Sequence, residues 1–90
     1  MKPVKIPIED SIDLHTFRPQ DVSGLLSEYF EECIANGIYT VRIIHGKGKG
    51  ILKNNVAQIL KKSPYVISFS DSPPERGGWG STIAELKRSK

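Results

Sequence analysis

Tyr39-Thr40-Val41-Arg42-Ile43-Ile44-His45-Gly46-Lys47-Gly48-Lys49-Gly50 joins an apolar run to a glycine-lysine segment. Its first six residues are β-branched, aromatic or apolar apart from Arg42, the composition of a central strand. Glycines at alternate positions then break the run, with His45 at the junction and lysines between them. Glycine lets backbone N–H groups approach an anion closely, and a helix opening from such a loop adds a dipole that favours negative charge. The following residues supply that helix. Leu52, Val56, Ile59 and Leu60 mark a buried stripe, and Ser63-Pro64 stops it because the residue before proline is pushed out of the helical region.

Working outward, residues 11–15 alternate, with Ile12 and Leu14 on one face and Asp13 and His15 on the other, which predicts a first strand. Residues 1–11, with Pro3 and Pro7, form an extended arm leading into it. Pro19 fits the first position of a helix and Asp21 complements its dipole. Val22, Leu25, Leu26, Tyr29, Phe30, Cys33 and Ile34 recur at three-and-four spacing until Asn36-Gly37 ends the element. Downstream, residues 65–70 predict a third strand, and residues 71–80 a turn-rich connection through Pro73-Pro74 and Gly77-Gly78. Residues 81–86 predict a last strand antiparallel to the third, and residues 87–90 a basic tail. The order β-α-β-α-β-β describes one α/β domain over residues 12–86. It predicts a two-layer α/β sandwich whose mixed, mostly parallel four-stranded sheet carries both helices on one face and leaves the other partly open.

With 90 residues there is room for one small core, and the 38% hydrophobic and 26% charged composition is that of an ordinary globular domain. The single cysteine, Cys33, forms no intramolecular disulfide, which points to a reducing compartment. The first ten residues offer neither a signal-peptide core nor a membrane span, so a cytoplasmic, membrane-free protein is expected. Net charge is only +3, but it is segregated. Acids dominate residues 1–32, whereas residues 33–70 contain none and hold Arg42, Lys47, Lys49, Lys53, Lys61 and Lys62. A polyanion is expected to dock there.

Ligands of parallel sheets gather beyond the carboxyl ends of strands, and two such ends carry Asp13-Leu14-His15 and His45-Gly46-Lys47-Gly48. If the two strands are neighbours, both histidines and one carboxylate converge beside the glycine loop. Asp13, His15 and His45 are therefore the candidate catalytic residues, an imidazole with an ordinary pKa of about 6.5 being suited to proton transfer. Gly46, Lys47, Gly48, Lys49, Gly50 and Lys53 are candidate phosphate-binding residues, with Arg42 on the basic segment and Trp79 as a stacking group. A nucleotide loop fails on detail: no Gly-Lys-Ser/Thr ending is present, and Ile51 stands where a dinucleotide fingerprint has its third glycine. A phosphodiester backbone fits better.

Each residue also has a structural reading. His15 caps a strand end, His45 orients the loop, Asp13 pairs with Arg42 or accepts loop N–H groups, and Trp79 pins the glycine turn. Cys33, Tyr29 and Phe30 are core material, Glu28, Glu31 and Glu32 a solvated face, and Lys61 and Lys62 favour the end of the second helix. No residue cluster has metal-site spacing and Asp13 is the only acid near the proposed edge. No cofactor is required by the sequence; a Mg²⁺ or Mn²⁺ ion shared between Asp13 and substrate phosphates is left open.

Ile12-Asp13-Leu14-His15 resembles the Leu-Asp-x-His motif of the Smr (small MutS-related) domain family, and His45-Gly46-Lys47-Gly48 matches its His-Gly-x-Gly motif. Gly77-Gly78-Trp79-Gly80 before the closing strand is similar to its C-terminal signature, so the likeness runs from about Ile12 to Leu86. The resemblance implies a fold like the C-terminal domain of bacterial translation initiation factor three and an endonuclease that nicks DNA or cleaves RNA. Family members stand alone or are fused to MutS-like ATPases, and a stand-alone, monomeric domain is expected here. On RNA the 2′-hydroxyl supplies an internal nucleophile, which tilts the expectation toward RNA. The alternatives are a non-catalytic module that positions a repair-protein or ribosome partner on DNA or RNA, and a protein-interaction domain whose open sheet face receives another chain.

Overall fold

The computed structural model describes residues 9–46, 50–76 and 78–88, without the side chains of Arg76 and Trp79. The expectations placed on residues 1–8, on Lys47, Gly48, Lys49 and Gly77, on the side chain of Trp79 and on residues 89–90 lie outside it.

The elements follow the order β1 (Ser11–Asp13), α1 (Pro19–Ala35), β2 (Thr40–Ile44), α2 (Ile51–Lys62), β3 (Val66–Asp71) and β4 (Ser81–Leu86), with two short 3-10 turns between β3 and β4. Helix α1 starts where Arg18 is still extended and Pro19 takes the first helical position, where its missing N–H is no loss. It ends in a Schellman motif. The Ile38 N–H donates to the Cys33 carbonyl at 2.8 Å and the Gly37 N–H to that of Ile34 at 3.1 Å. Gly37 takes the left-handed conformation this requires, at φ 78°.

The sheet order is β1-β2-β4-β3. β1, β2 and β3 share a direction, but only β1 and β2 are parallel neighbours. β4 lies between β2 and β3, antiparallel to both, so the expected mostly parallel sheet has a single parallel pairing. The reason is the returning hairpin: β3 crosses past one strand width and β4 turns back into the gap, where it gains hydrogen-bonded neighbours on both sides.

One face of the sheet and one stripe of each helix make the core. Leu14, Val41, Ile43, Ala84 and Leu86 meet Val22, Leu26, Phe30 and Cys33 of α1 and Val56 and Leu60 of α2 in a single buried cluster. The helices therefore share a face, as the apolar periodicities predict. The first strand is shorter than its alternation suggested. It stops at Asp13, although Leu14 remains buried and its N–H donates to the Ile44 carbonyl at 2.9 Å. The third strand runs one residue further, taking in Asp71, which the sequence places in the following turn. No helix among the described residues is long and apolar enough to cross a membrane.

Candidate nucleic-acid interface

The parallel pairing of β1 with β2 sets Asp13 beside Ile44, so the segments Asp13-Leu14-His15 and His45-Gly46 leave the sheet side by side. The convergence expected of the two motifs is thus present in the backbone. Their side chains separate by face, because neighbours along a strand alternate. Asp13 lies on the solvent side, whereas His45 continues the inward row of Val41 and Ile43 and is buried.

Asp13 and His15 form a pair. One carboxylate oxygen, Oδ1, accepts from the His15 backbone N–H at 3.0 Å and lies 2.6 Å from the ring Nδ1. An acceptor at Nδ1 holds the proton on that nitrogen and leaves Nε2 to face solvent. These two bonds from His15 hold the Asp13 carboxyl below its ordinary value, so it is ionised at neutral pH. His15 is well exposed, which suits a group that must reach a substrate.

His45 is engaged at both ring nitrogens. Nε2 lies 2.8 Å from Thr82 Oγ1 on β4, and Nδ1 lies 3.2 Å from the Gly46 carbonyl. The carbonyl only accepts, so Nδ1 donates to it and Nε2 of the neutral ring accepts from the Thr82 hydroxyl. Burial holds the imidazole below its ordinary pKa; the Gly46 carbonyl opposes this, the Lys53 cation adds to it and Asp71 opposes it more weakly.

A stability prediction follows with a definite sign. A histidine with a depressed folded-state pKa binds its proton more readily when unfolded, so stability rises with pH through this window. The folded protein is expected to lose stability as pH falls below about 6.5, the unfolded value, with no further loss from this group below the folded value. Urea midpoints from pH 8 to pH 5 check it: the slope should diminish in His45→Gln, and an unchanged slope would place the effect elsewhere.

Gly46 is left-handed at φ 82°, a conformation a side chain makes costly. Its N–H donates to the Gly80 carbonyl at 2.8 Å and that of His45 to the same carbonyl at 3.1 Å. The Gly46 amide is therefore committed to the turn before β4 and does not face an incoming anion. Gly50, at φ 83°, delivers the chain into α2, whose first turn has no side-chain cap and no acidic residue. That end keeps the positive character of a helix N-terminus. Lys53, one turn in, bonds Asp71 at 3.0 Å, so a carboxylate already offsets part of its charge.

Arg42 departs from the group. It is half-buried on the solvent face of the sheet, opposite Ile83, in a groove of about 420 Å³ that Asp10 and Asp71 also line. Thr82 and Asp71 join the site without a signal in the sequence. Asp13 is not the only acid at this edge, since Asp71 reaches it through Lys53. Only the β2-β4-β3 order brings Thr82 to His45 and Asp71 to Lys53, and no motif marks them. Among the described residues, no three His, Cys, Asp or Glu side chains are grouped to hold a metal ion.

The family model of the Smr domain matches residues 12–87, and the chain belongs to the Smr domain family. Curated relatives include endonuclease MutS2 of Staphylococcus carnosus, 39% identical over 80 residues that cover 89% of this chain and 10% of that protein. Endonuclease MutS2 of Staphylococcus aureus is likewise 39% identical over 80 residues, covering 89% of this chain and 11% of its own. The chain thus spans about a tenth of the length of these relatives. Among solved structures, the Smr domain of Thermus thermophilus MutS2 superposes with a TM-score of 0.82 at 33% identity, covering 88% of this chain and 99% of that one. YdaL, a stand-alone small MutS-related protein from Escherichia coli, gives 0.80 at 26% identity, covering 94% and 69%.

Proposed function

We propose that the chain is a nucleic-acid endonuclease that cleaves phosphodiester bonds in RNA or DNA at the edge formed by β1, β2 and the start of α2. The observation that carries this is the Asp13–His15 pair, exposed and oriented, on the segment that leaves the sheet beside His45-Gly46, with the uncapped N-terminus of α2 following at Gly50. Its relatives' name, endonuclease, agrees in reaction class. In this reading the α2 N-terminus with Lys47 and Lys49 holds the phosphate and stabilises charge developing on it. His15 moves the proton to or from the attacking or leaving oxygen, while Asp13 keeps its ring in one tautomer. His45, bonded to Thr82 and Gly46, fixes the entry to the loop, and Lys53 bridges α2 to Asp71 at the rim. A 2′-hydroxyl beside the scissile phosphate would serve as nucleophile with no metal, which favours RNA; on DNA, Asp13 would be the residue to hold a divalent ion, which would supply positive charge for the phosphate.

The test is cleavage of plasmid DNA and of structured RNA by nuclease-free protein, with and without chelator. Binding without product on every substrate would replace this reading with a non-catalytic DNA- or RNA-binding module, for which the full engagement of His45 speaks.

Docking on phosphates also predicts a salt dependence. Log affinity should fall linearly with log salt, and neutralising Lys47, Lys49 and Lys53 together should flatten the slope by up to about one per lysine that contacts a phosphate. Lys53→Gln alone should contribute least, because Asp71 already offsets its charge. Neutralising Glu28 and Glu32, exposed on α1, is the control and should leave the slope in place. A triple variant with the parent slope would move the docking surface elsewhere.

A further inference from the structure

Phe17 and Ile51 are two of the three large apolar side chains left exposed among the described residues, at 42% and 70%. They line one groove of about 580 Å³ with Pro19, Gln20, Leu52 and Asn55. Its position is informative. Phe17 follows His15 by two residues, in a turn closed by its N–H on the Leu14 carbonyl at 3.0 Å, and Ile51 is the first residue of α2 after Gly50. The groove therefore lies between the turn that follows the Asp13–His15 pair and the first turn of α2.

We infer that this groove takes one unpaired nucleobase of the bound strand, stacked on Phe17, so that single-stranded or looped nucleic acid is preferred over continuous duplex. The inference rests on the phosphodiester reading above and adds to it the form of the substrate. An aromatic face beside an aliphatic wall suits a planar heterocycle, and base stacking on such a face does not require a particular base. Gln20 and Asn55 carry amides, each a donor and an acceptor, matching the edge of a base. Charge complementarity selects a nucleotide over an apolar peptide or lipid chain: no acid is among the described residues that line the groove, and its α2 wall belongs to a stretch, residues 33–70, whose sequence holds lysines and no acid. A base inside a duplex is stacked on its neighbours and offers no free face.

The experiment compares the full chain with Phe17→Ala, Phe17→Leu and Phe17→Tyr on one oligonucleotide carrying 2-aminopurine, single-stranded and as a blunt duplex. Phe17→Ala should weaken single-strand binding by about 5- to 150-fold, the range of one base stacked on an aromatic ring, and leave duplex binding unchanged. Phe17→Leu should lose affinity similarly, Phe17→Tyr should keep it, and the quenching of 2-aminopurine on binding should follow the aromatic ring. Equal single-strand affinity in Phe17→Ala, an equal loss on duplex, or full retention by Phe17→Leu would each overturn the stacking site. A parent dimer in sedimentation that Phe17→Ala abolishes would assign the groove to a second copy and overturn it as well. Failure of the parent to bind either form would instead overturn the phosphodiester reading itself.

Discussion

Cleavage by Asp13→Asn and by His15→Ala is expected to fall by about 10²–10⁴-fold in each case, the usual contribution of a positioned proton-transfer group. Both side chains are exposed, so neither change opens a cavity, and both proteins should keep the parent's unfolding midpoint within about 0.5 kcal/mol. Binding should persist, because the lysines and the α2 N-terminus are untouched. Asn retains an acceptor for the ring Nδ1 and loses the charge, so this variant separates electrostatic stabilisation of His15 from mere orientation. If the pair serves one step, the double variant should lose far less than the product of the single losses. Cleavage rates on the best substrate, measured under single-turnover conditions, check this. Full activity in both single variants would sink the proposed mechanism, whereas activity lost only together with binding would turn the pair into a docking element.

The second large effect is on stability. Leu26→Ala and Ile43→Ala should each lower the unfolding free energy by about 2–5 kcal/mol, because both side chains are fully buried in the one cluster where α1 meets the sheet. A domain of this size has a total stability of about 5–15 kcal/mol, so combining the two changes should leave much of the population unfolded. Ile67→Ala and Ile51→Ala provide the contrast: at 64% and 70% exposure they should shift stability by no more than about 0.5 kcal/mol. Urea unfolding followed by circular dichroism, read at constant slope, compares the four. A neutral Leu26→Ala would remove that residue from the core.

The element order and the inward stripes were legible in the chain because they depend on local rules. Alternation placed Ile12 and Leu14 inward, three-and-four spacing did the same for Val22, Leu26, Phe30 and Cys33, and proline and glycine marked where helices start and stop. The paired motifs were legible too, since Asp13, His15 and His45 sit at strand ends that a βαβ unit brings together. What local rules do not carry is which strands pair. Inserting β4 between β2 and β3 satisfies the backbone groups of both, and that choice is made by long-range hydrogen bonding, which leaves no periodicity in the sequence.

The site inherits that division. The residue types at the edge are a property of the sequence, but their state is a property of the pairing. Thr82 opposes Ile43 across the β2-β4 register and so comes to stand under His45; Gly80 is drawn against Gly46, and Asp71 against Lys53. Two histidines indistinguishable by type thereby receive different environments. His15 remains exposed with its ring held by an ionised carboxylate, while His45 is desolvated with both nitrogens occupied. Local patterning and the two motifs carry the fold class, the family and the meeting of the Asp13-Leu14-His15 and His45-Gly46 segments, but not the arrival of Thr82 and Asp71. Which histidine faces solvent follows from the strand pairing, because a pleated strand sends adjacent side chains to opposite faces and the sheet order determines what awaits each of them.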